Sequence, residues 1–176
     1  MPPDLRYPIG RHVASDPITV SQRSEWIAQL AEAPDALRAA VGGLSAARLD
    51  TPYRPNGWTV RQVVHHVPDS HLNAYCRFKL ALTEEAPVIR PYDEKLWARL
   101  PDTAGTPIET SLRLLEALHE RWVILLKAMN ADDWQRTFVH PEYEGSYRLD
   151  HLLGLYAWHG RHHVAHITSL REREGW

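Results

Sequence analysis

Four stretches of the chain repeat apolar residues every three or four positions, which is the spacing of a helix with one buried face. In the clearest stretch, apolar side chains recur from Leu112 through Trp122 to about Met129. Four long helices are therefore predicted, at about 21–41, 59–83, 107–129 and 149–174. An all-α fold follows, in the form of a four-helix bundle with a long crossover connection, in which sites are commonly built from side chains on facing helices.

Capping residues predict where two of these helices begin. Gln62 follows Thr59 at the spacing of a capping box, so the second helix is predicted to begin at this threonine. Thr106, Pro107 and Glu109 predict an N-cap, a proline at the first helical position and a capping acid for the third helix. The third helix thus begins well beyond the end of the second.

The segments outside the four helices are rich in proline. Residues 1–18 are predicted to form an extended N-terminal arm, and residues 86–106 a long crossover. Residues 130–148 are predicted to be irregular, with a short hairpin. Inside the helices, Pro34 is expected to kink or split the first and Pro68 to bend the second.

Composition limits the classes of protein to which the chain can belong. Hydrophobic residues make up 44% and charged residues 24%, which is typical of a folded protein, and residues 1–176 are predicted to form a single domain. A net charge of −2 offers no basic surface for nucleic acid, and no apolar run is long enough to cross a membrane. Because the N-terminus lacks the pattern of a secretion signal, we expect a cytoplasmic protein.

Cys76 is the only cysteine, which excludes a disulfide within the chain and a cluster of thiolate metal ligands. We predict it to be a small buried apolar residue. The chain also lacks a glycine-rich phosphate loop, a GxSxG elbow and an HExxH motif. Any metal site must therefore use other ligands.

Histidine is the residue type with an unusual distribution. Seven of the 11 histidines fall in two short groups, on the second and fourth predicted helices. They are His65, His66 and His71, followed by His159, His162, His163 and His166. Neutral imidazoles in an apolar seam each need a partner, and one metal ion can satisfy three at once. The alternative, histidines that only stabilise a core through hydrogen bonds, is disfavoured by this clustering. The remaining four, His12, His119, His140 and His151, are predicted to be surface or loop residues.

Helical phase separates the four histidines of the last helix. His159 and His163 are one turn apart and point to the centre of the apolar stripe. His162 and His166 have the same spacing but average nearer the edge of the stripe. The first pair is therefore the better candidate for metal ligands, and the second is predicted to pack or to hydrogen-bond with ligands.

On the second helix, His65 points nearly opposite to the apolar face and is the weakest candidate ligand. His66 lies on one flank of that face, and His71 lies nearer its middle, where packing or support of a ligand is predicted. A catalytic ion needs an open side for water and substrate, which favours His66 at the mouth of the site. Three nitrogen ligands leave a position for water, whose pKa the ion lowers toward about 7, so hydrolysis is the simplest reaction.

Blocks along nearly the whole chain resemble the YfiT-type branch of the DinB-like superfamily, whose members are described as metal-dependent hydrolases. These blocks are YPIGR, GWTVRQVVHHVPDSHLNAYCRFKLALTEE, RPYDE and YAWHGRHHVAHI. The resemblance implies a four-helix bundle, one divalent ion per subunit, zinc or nickel, a small-molecule substrate and a homodimer. It selects His66 as the first ligand and an H-x3-H pair, His159 and His163, as the others. Pro68 departs from the family pattern directly after the first ligand.

Two further functions stay open beside a hydrolase with metal-activated water. Related DinB-like enzymes include S-transferases that use bacillithiol, a low-molecular-weight thiol, and in such an enzyme Asn73, Arg77 or Tyr75 would contact the thiol. The pocket should then be cationic and deep. The third reading is a non-catalytic stress-response bundle that binds a metal or a ligand. The residues do not name a general acid or base.

Overall fold

The computed structural model describes residues 4–176, in which four long helices are joined by shorter elements. The long helices are α1 (Val20–Val41), α3 (Val60–Thr83), α6 (Ile108–Ala128) and α8 (Leu149–Glu174). The short elements are α2 (Ala46–Leu49), α4 (Glu94–Trp97), α5 (Pro101–Gly105), α7 (Ala131–Gln135), β1 (Thr137–Val139) and β2 (Ser146–Arg148). Residues 4–19 contain no helix or strand, and the part of the predicted arm at 1–3 lies outside the described residues.

The four long helices form a bundle, which confirms the predicted fold class. α1 and α3 each pack against both α6 and α8, so these four pairs enclose the core. The crossover from α3 to α6 contains α4 and α5, and β1 pairs antiparallel with β2 to form the expected hairpin. Among residues 4–176, no helix combines the length and the apolar character that a membrane span requires.

The capping box predicted for the second helix agrees with the structure, and the N-cap predicted for the third helix is wrong. The Thr59 side chain accepts from the Gln62 N–H (3.1 Å), and the Gln62 side chain accepts in return from the Thr59 N–H (2.9 Å). α1 continues through Pro34 and α3 through Pro68, so Pro34 does not split its helix; a kink at Pro34 and a bend at Pro68 stay predictions. The prediction that Thr106 caps α6 is wrong, because Thr106 ends α5, where its N–H donates to the Asp102 carbonyl. Pro107 takes the N-cap position of α6 without a side-chain hydrogen bond.

The core consists of two apolar clusters stacked along the bundle, with histidines between them. One cluster surrounds Trp122 and Phe78, and the other surrounds Val63 and Leu115. On α8, the four clustered histidines occupy the stretch between Tyr156 of the first cluster and Ile167 of the second; on α3, His71 lies between Val67 and Ala74. The apolar clusters remove water from the rings on both sides, so a ring nitrogen that is left there without a partner costs free energy.

Small residues let α8 approach its neighbours at this level. A Cβ atom added to Gly160 would lie 3.4 Å from the Ala33 Cβ on α1 and 3.6 Å from Cε1 of the His71 ring on α3. A Cβ added to Gly154 would meet the Trp26 ring at 3.0 Å. The two glycines therefore allow the close packing of α8 that brings its histidines to those of α3.

Candidate metal centre

Three histidines from two helices converge inside the bundle. His66 comes from α3, and His159 and His163 come from adjacent turns of α8. One ring nitrogen from each residue lies within 4.8 Å of the other two. The Nε2 atom of His159 is 3.4 Å from Nε2 of His66 and 3.2 Å from Nε2 of His163. We call these three residues the metal centre; their assignment as ligands is argued below as a proposal.

The distances in the metal centre suit a small divalent ion. Two nitrogen ligands at 2.0–2.1 Å from a tetrahedral zinc ion lie about 3.3 Å apart. Both measured Nε2–Nε2 distances fall within about 0.2 Å of this value. These two distances suit a shared ion, and the nitrogens of the third pair, His66 and His163, lie within 4.8 Å of each other.

The protonation state of the metal centre also suits metal binding. Burial lowers the pKa of His66 to about 4. Burial, together with the neighbouring histidines, holds the pKa values of His159 and His163 well below their ordinary range. All three rings are thus neutral at neutral pH, and each carries a lone pair on one nitrogen. Nδ1 of His163 is buried with no hydrogen-bond partner among the described residues.

A cavity of about 690 Å³ opens beside His159. His159 lines this cavity, whereas His66 is 5% exposed and lies against the Trp58 ring, 4.6 Å between centroids. The expectation that His66 stands at the mouth is therefore corrected: the open side belongs to His159. The reason is that the cavity lies between α8 and a wall formed by the crossover and the hairpin. Helical phase cannot predict where these two segments lie.

The charges around the cavity are mixed. Arg77 and Lys95 line it together with three carboxylates, Asp93, Glu94 and Glu142. Arg77 lines the cavity, and its role toward a substrate or thiol stays a prediction. Asn73 is not among the lining residues; its amide donates to the Asp69 carbonyl (2.9 Å), and its role as a pocket residue stays a prediction. Tyr75 is buried against Trp122.

Ser70, Tyr92 and Tyr156 line the same cavity as His159, and the sequence analysis did not identify them as site residues. The Ser70 hydroxyl and the Tyr156 hydroxyl are 3.3 Å apart, and the Tyr156 ring lies 5.4 Å from the His159 ring. Burial raises the pKa values of Tyr92 and Tyr156, so both hydroxyls stay protonated at neutral pH. A signal existed for Tyr156, which lies one helical turn before His159; Tyr92 is in the crossover, where no periodicity applies.

His119 was predicted to be a surface residue, and this is wrong. It is 2% exposed and lies on the buried face of α6, one turn after Leu115 and nearly one turn before Trp122. Its Nε2 atom is 2.8 Å from Nδ1 of His71, whose own Nε2 is 3.1 Å from Nδ1 of His159. The spacing of the leucines on α6 contained this information, because His119 shares their stripe. His12 and His140 lie in loops and His151 in the first turn of α8, all partly exposed.

The other clustered histidines have partners outside the metal centre. His162 stacks on Trp158 (4.3 Å between centroids), and His166 stacks on Tyr53 (3.9 Å) and donates from Nε2 to the Arg6 carbonyl (3.1 Å). His65 is also buried, because α6 covers that side of α3, and its Nδ1 lies 2.7 Å from the Ser111 hydroxyl.

The prediction for Cys76 is wrong, since this side chain is exposed. It lies on the outer face of α3 with Leu72 and Lys79, about one turn away on either side and also exposed. The phase of the helix directs all three away from the bundle.

Sequence comparisons match a family profile and several similar proteins. Residues 29–167 match the profile of the DinB superfamily. A Bacillus cereus protein (strain 03BB102) named "putative metal-dependent hydrolase" is 55% identical over 173 residues, which cover 98% of this chain and 99% of the relative. A Bacillus thuringiensis protein (subsp. konkukian, strain 97-27) with the same descriptive name has the same identity and coverage.

A solved structure is similar over almost the entire chain. YfiT from Bacillus subtilis, described as "a probable metal-dependent hydrolase with an unusual four-helix bundle topology", superimposes with a TM-score of 0.95. The two sequences are 50% identical, and the alignment covers 98% of each chain. The resemblance drawn from the sequence blocks is confirmed by this similarity.

Proposed function

This chain belongs to the DinB superfamily, and from that premise we propose that it is a metal-dependent hydrolase with one divalent ion held by His66, His159 and His163. The observation that carries the proposal is the convergence of three neutral imidazoles, with two Nε2–Nε2 distances of 3.2 and 3.4 Å, beside a cavity. The names of the relatives support a metal-dependent enzyme and leave its reaction open.

Each residue of the metal centre contributes in a defined way. His66 and His163 supply nitrogens from within the bundle, while His159 presents the side that faces the cavity. When bound, a divalent ion supplies a water molecule with a pKa lowered toward about 7, which makes a nucleophile available at neutral pH. Three imidazoles suit zinc or nickel, and we retain both ions as candidates.

The cavity is the proposed site for a small-molecule substrate. Its volume of about 690 Å³ is within the range typical of small-ligand pockets. The protonated hydroxyls of Tyr92 and Tyr156 can donate hydrogen bonds to an oxygen that gains negative charge during hydrolysis. Arg77 can orient an acidic group of the substrate.

The S-transferase reading has weaker support. A cationic pocket was expected for a thiol of this type, yet three carboxylates accompany Arg77 and Lys95 in this cavity. No specific observation favours a non-catalytic bundle. The cavity beside the metal centre offers room for a substrate, which favours an enzyme. A homodimer and a cytoplasmic location stay predictions from the sequence.

The test begins with protein stripped by a chelator and reloaded with one equivalent of zinc or nickel. We expect the loaded protein, and not the stripped one, to hydrolyse members of a panel of chromogenic esters and amides. The same samples are also given a bacillithiol-type thiol and an electrophile. Conjugation of the thiol to the electrophile would contradict the hydrolase hypothesis and support a transferase. A cobalt-loaded sample whose spectrum shows no exchangeable water would support the non-catalytic bundle instead.

A further inference from the structure

A row of three buried histidines connects the metal centre to the backbone of α1. We call His119, His71 and His159 the histidine row. Nδ1 of His119 is 2.6 Å from the Leu30 carbonyl oxygen, and Nε2 of His119 is 2.8 Å from Nδ1 of His71. Nε2 of His71 is 3.1 Å from Nδ1 of His159. The row thus crosses the bundle from α1 through α6 and α3 to α8.

The direction of every hydrogen bond in the row follows from its first member. A carbonyl oxygen only accepts, so Nδ1 of His119 carries the proton that bonds to Leu30. His119 is 2% exposed and His71 is fully buried, and a charge on either ring would be desolvated and would lie against the other ring at 2.8 Å, so each ring is neutral and has one N–H. Nε2 of His119 is therefore an acceptor, and Nδ1 of His71 must donate to it.

The same reasoning carries through to the metal centre. Because His71 carries its proton on Nδ1, its Nε2 accepts, and Nδ1 of His159 must be the donor. A neutral His159 with its proton on Nδ1 has a lone pair on Nε2, the atom that faces His66 and His163. The bond to a carbonyl on α1 thus decides which nitrogen of a histidine on α8 is free.

Pro34 explains why the Leu30 carbonyl is available. In an uninterrupted helix, the carbonyl of residue 30 accepts from the N–H of residue 34. Proline has no N–H, so the bond is missing although α1 continues through this position. A buried carbonyl without a partner costs free energy, and the His119 N–H supplies the partner.

We propose that His71 and His119 are positioning residues that hold His159 in the Nδ1–H tautomer, with the Leu30 carbonyl as the anchor. These hydrogen bonds keep the lone pair of His159 on Nε2 before any ion binds. The role toward a metal rests on the proposed function, whereas the tautomers themselves are a property of the protein without metal. Neither residue touches the ion or substrate in this proposal.

The first experiment measures the tautomers directly. Long-range ¹⁵N–¹H correlation spectra of the chelator-treated protein at pH 7.5 report which ring nitrogen of each histidine carries a proton. We expect Nδ1–H for all three residues of the histidine row, the reverse of the form that free histidine prefers in water. A proton on Nε2 of His71 or His159 would overturn the proposal, whatever the protein does with metal.

The second experiment compares two substitutions at one position. His119→Leu removes the acceptor for His71, whereas His119→Gln keeps an amide oxygen near the place of Nε2. We expect the leucine variant to bind zinc roughly 10- to 100-fold more weakly, as is typical when a partner of a metal-bound histidine is lost, and the glutamine variant to recover most of the affinity. Competition with a chromophoric chelator gives the constants, and circular dichroism verifies folding.

A control separates positioning from core packing. His65→Leu removes another buried histidine, which bonds to Ser111 of α6 and makes no hydrogen bond to the histidine row among residues 4–176. We expect its zinc affinity to equal that of the wild type. Equal losses in His65→Leu and His119→Leu, or no rescue by glutamine, would refute the positioning role. If the wild type binds no ion at the metal centre, the proposed function fails while the spectra still decide the tautomers.

Discussion

Two pairs of histidines on α8 have the same spacing and different surroundings. His159 and His163 are four residues apart, as are His162 and His166, and all four rings are at least partly buried. Nε2 of His163 lies 3.2 Å from Nε2 of His159, which also approaches His66. The rings of the other pair stack on Trp158 and Tyr53.

The difference shows that neighbours, and not spacing, assign the role of a histidine. The first pair faces α3, where other imidazole nitrogens are the nearest polar atoms. The second pair faces the loop segment before α1, where the Arg6 carbonyl accepts the Nε2 proton of His166. His166 is held by both its hydrogen bond and its stacking on Tyr53, whereas His162 is held by its stacking on Trp158.

The largest expected effect comes from removing one member of each pair. His163→Ala should abolish metal binding, with a loss of more than about 100-fold that exceeds the effect of losing an outer partner. His162→Ala is the matched control, because both side chains are 7% exposed and the same atoms are removed. It should retain one ion per chain. Metal content by elemental analysis and affinity by chelator competition give the comparison.

Both variants should keep a helical far-ultraviolet spectrum, since the two apolar clusters do not depend on an ion. Full metal content in His163→Ala would show that the metal centre is misassigned. Loss of the ion in His162→Ala would remove the distinction between the pairs.

A second prediction concerns how the free energy of unfolding depends on pH. It tests whether the buried histidines that support the first pair are neutral. The pKa of His119 is about 4 in the folded protein and near 6.5 in the unfolded chain. As pH falls, His119 binds a proton in the unfolded chain before it does so in the folded protein. The contribution of His119 to the free energy of unfolding is therefore fully present above pH 6.5 and is lost as pH falls toward 4. For this histidine alone, the loss is about 3 kcal/mol between pH 7 and pH 4.

The measurement is urea unfolding of metal-free protein at a series of pH values. His119→Gln removes this one titrating group and leaves the other buried histidines in place, so its free energy of unfolding should fall less steeply than that of the wild type. Parallel curves for the two proteins would contradict the buried neutral state of His119.

The smallest expected effect is on metal binding by His65→Ala. His65 is adjacent in sequence to His66, but its nitrogen bonds to Ser111 on α6, away from the two pairs. The variant should retain its ion and lose only stability, through the hydrogen bond and the packing that the ring provides. Elemental analysis tests the first point, and loss of the ion would move the α3 ligand by one position.

Much of the fold could be predicted because its elements are local. Periodicity gave the four long helices to within a few residues, and the Thr59–Gln62 spacing marked the start of α3. The prediction that Thr106 is the N-cap of α6 is wrong because Thr106 is the C-cap of α5, a short helix in the crossover. Local rules could not choose between these two uses of one threonine.

The candidate site was predicted in part. Helical phase separated His159 and His163 from His162 and His166, and the family resemblance singled out His66. Phase could not find His119 as a partner of His71, since the two residues are 48 positions apart and lie on different helices. Nor could it place Tyr92, which reaches the cavity from the crossover.

The sequence by itself determined which residues share a helical face and that imidazoles, the side chains best suited to a small divalent ion here, are concentrated on two of these faces. Only the tertiary structure decided which nitrogens meet, which histidine borders the cavity and where a carbonyl freed by Pro34 finds its donor. The physical reason is that periodicity fixes an angle about one helix axis. Distances between helices depend on how the whole core packs.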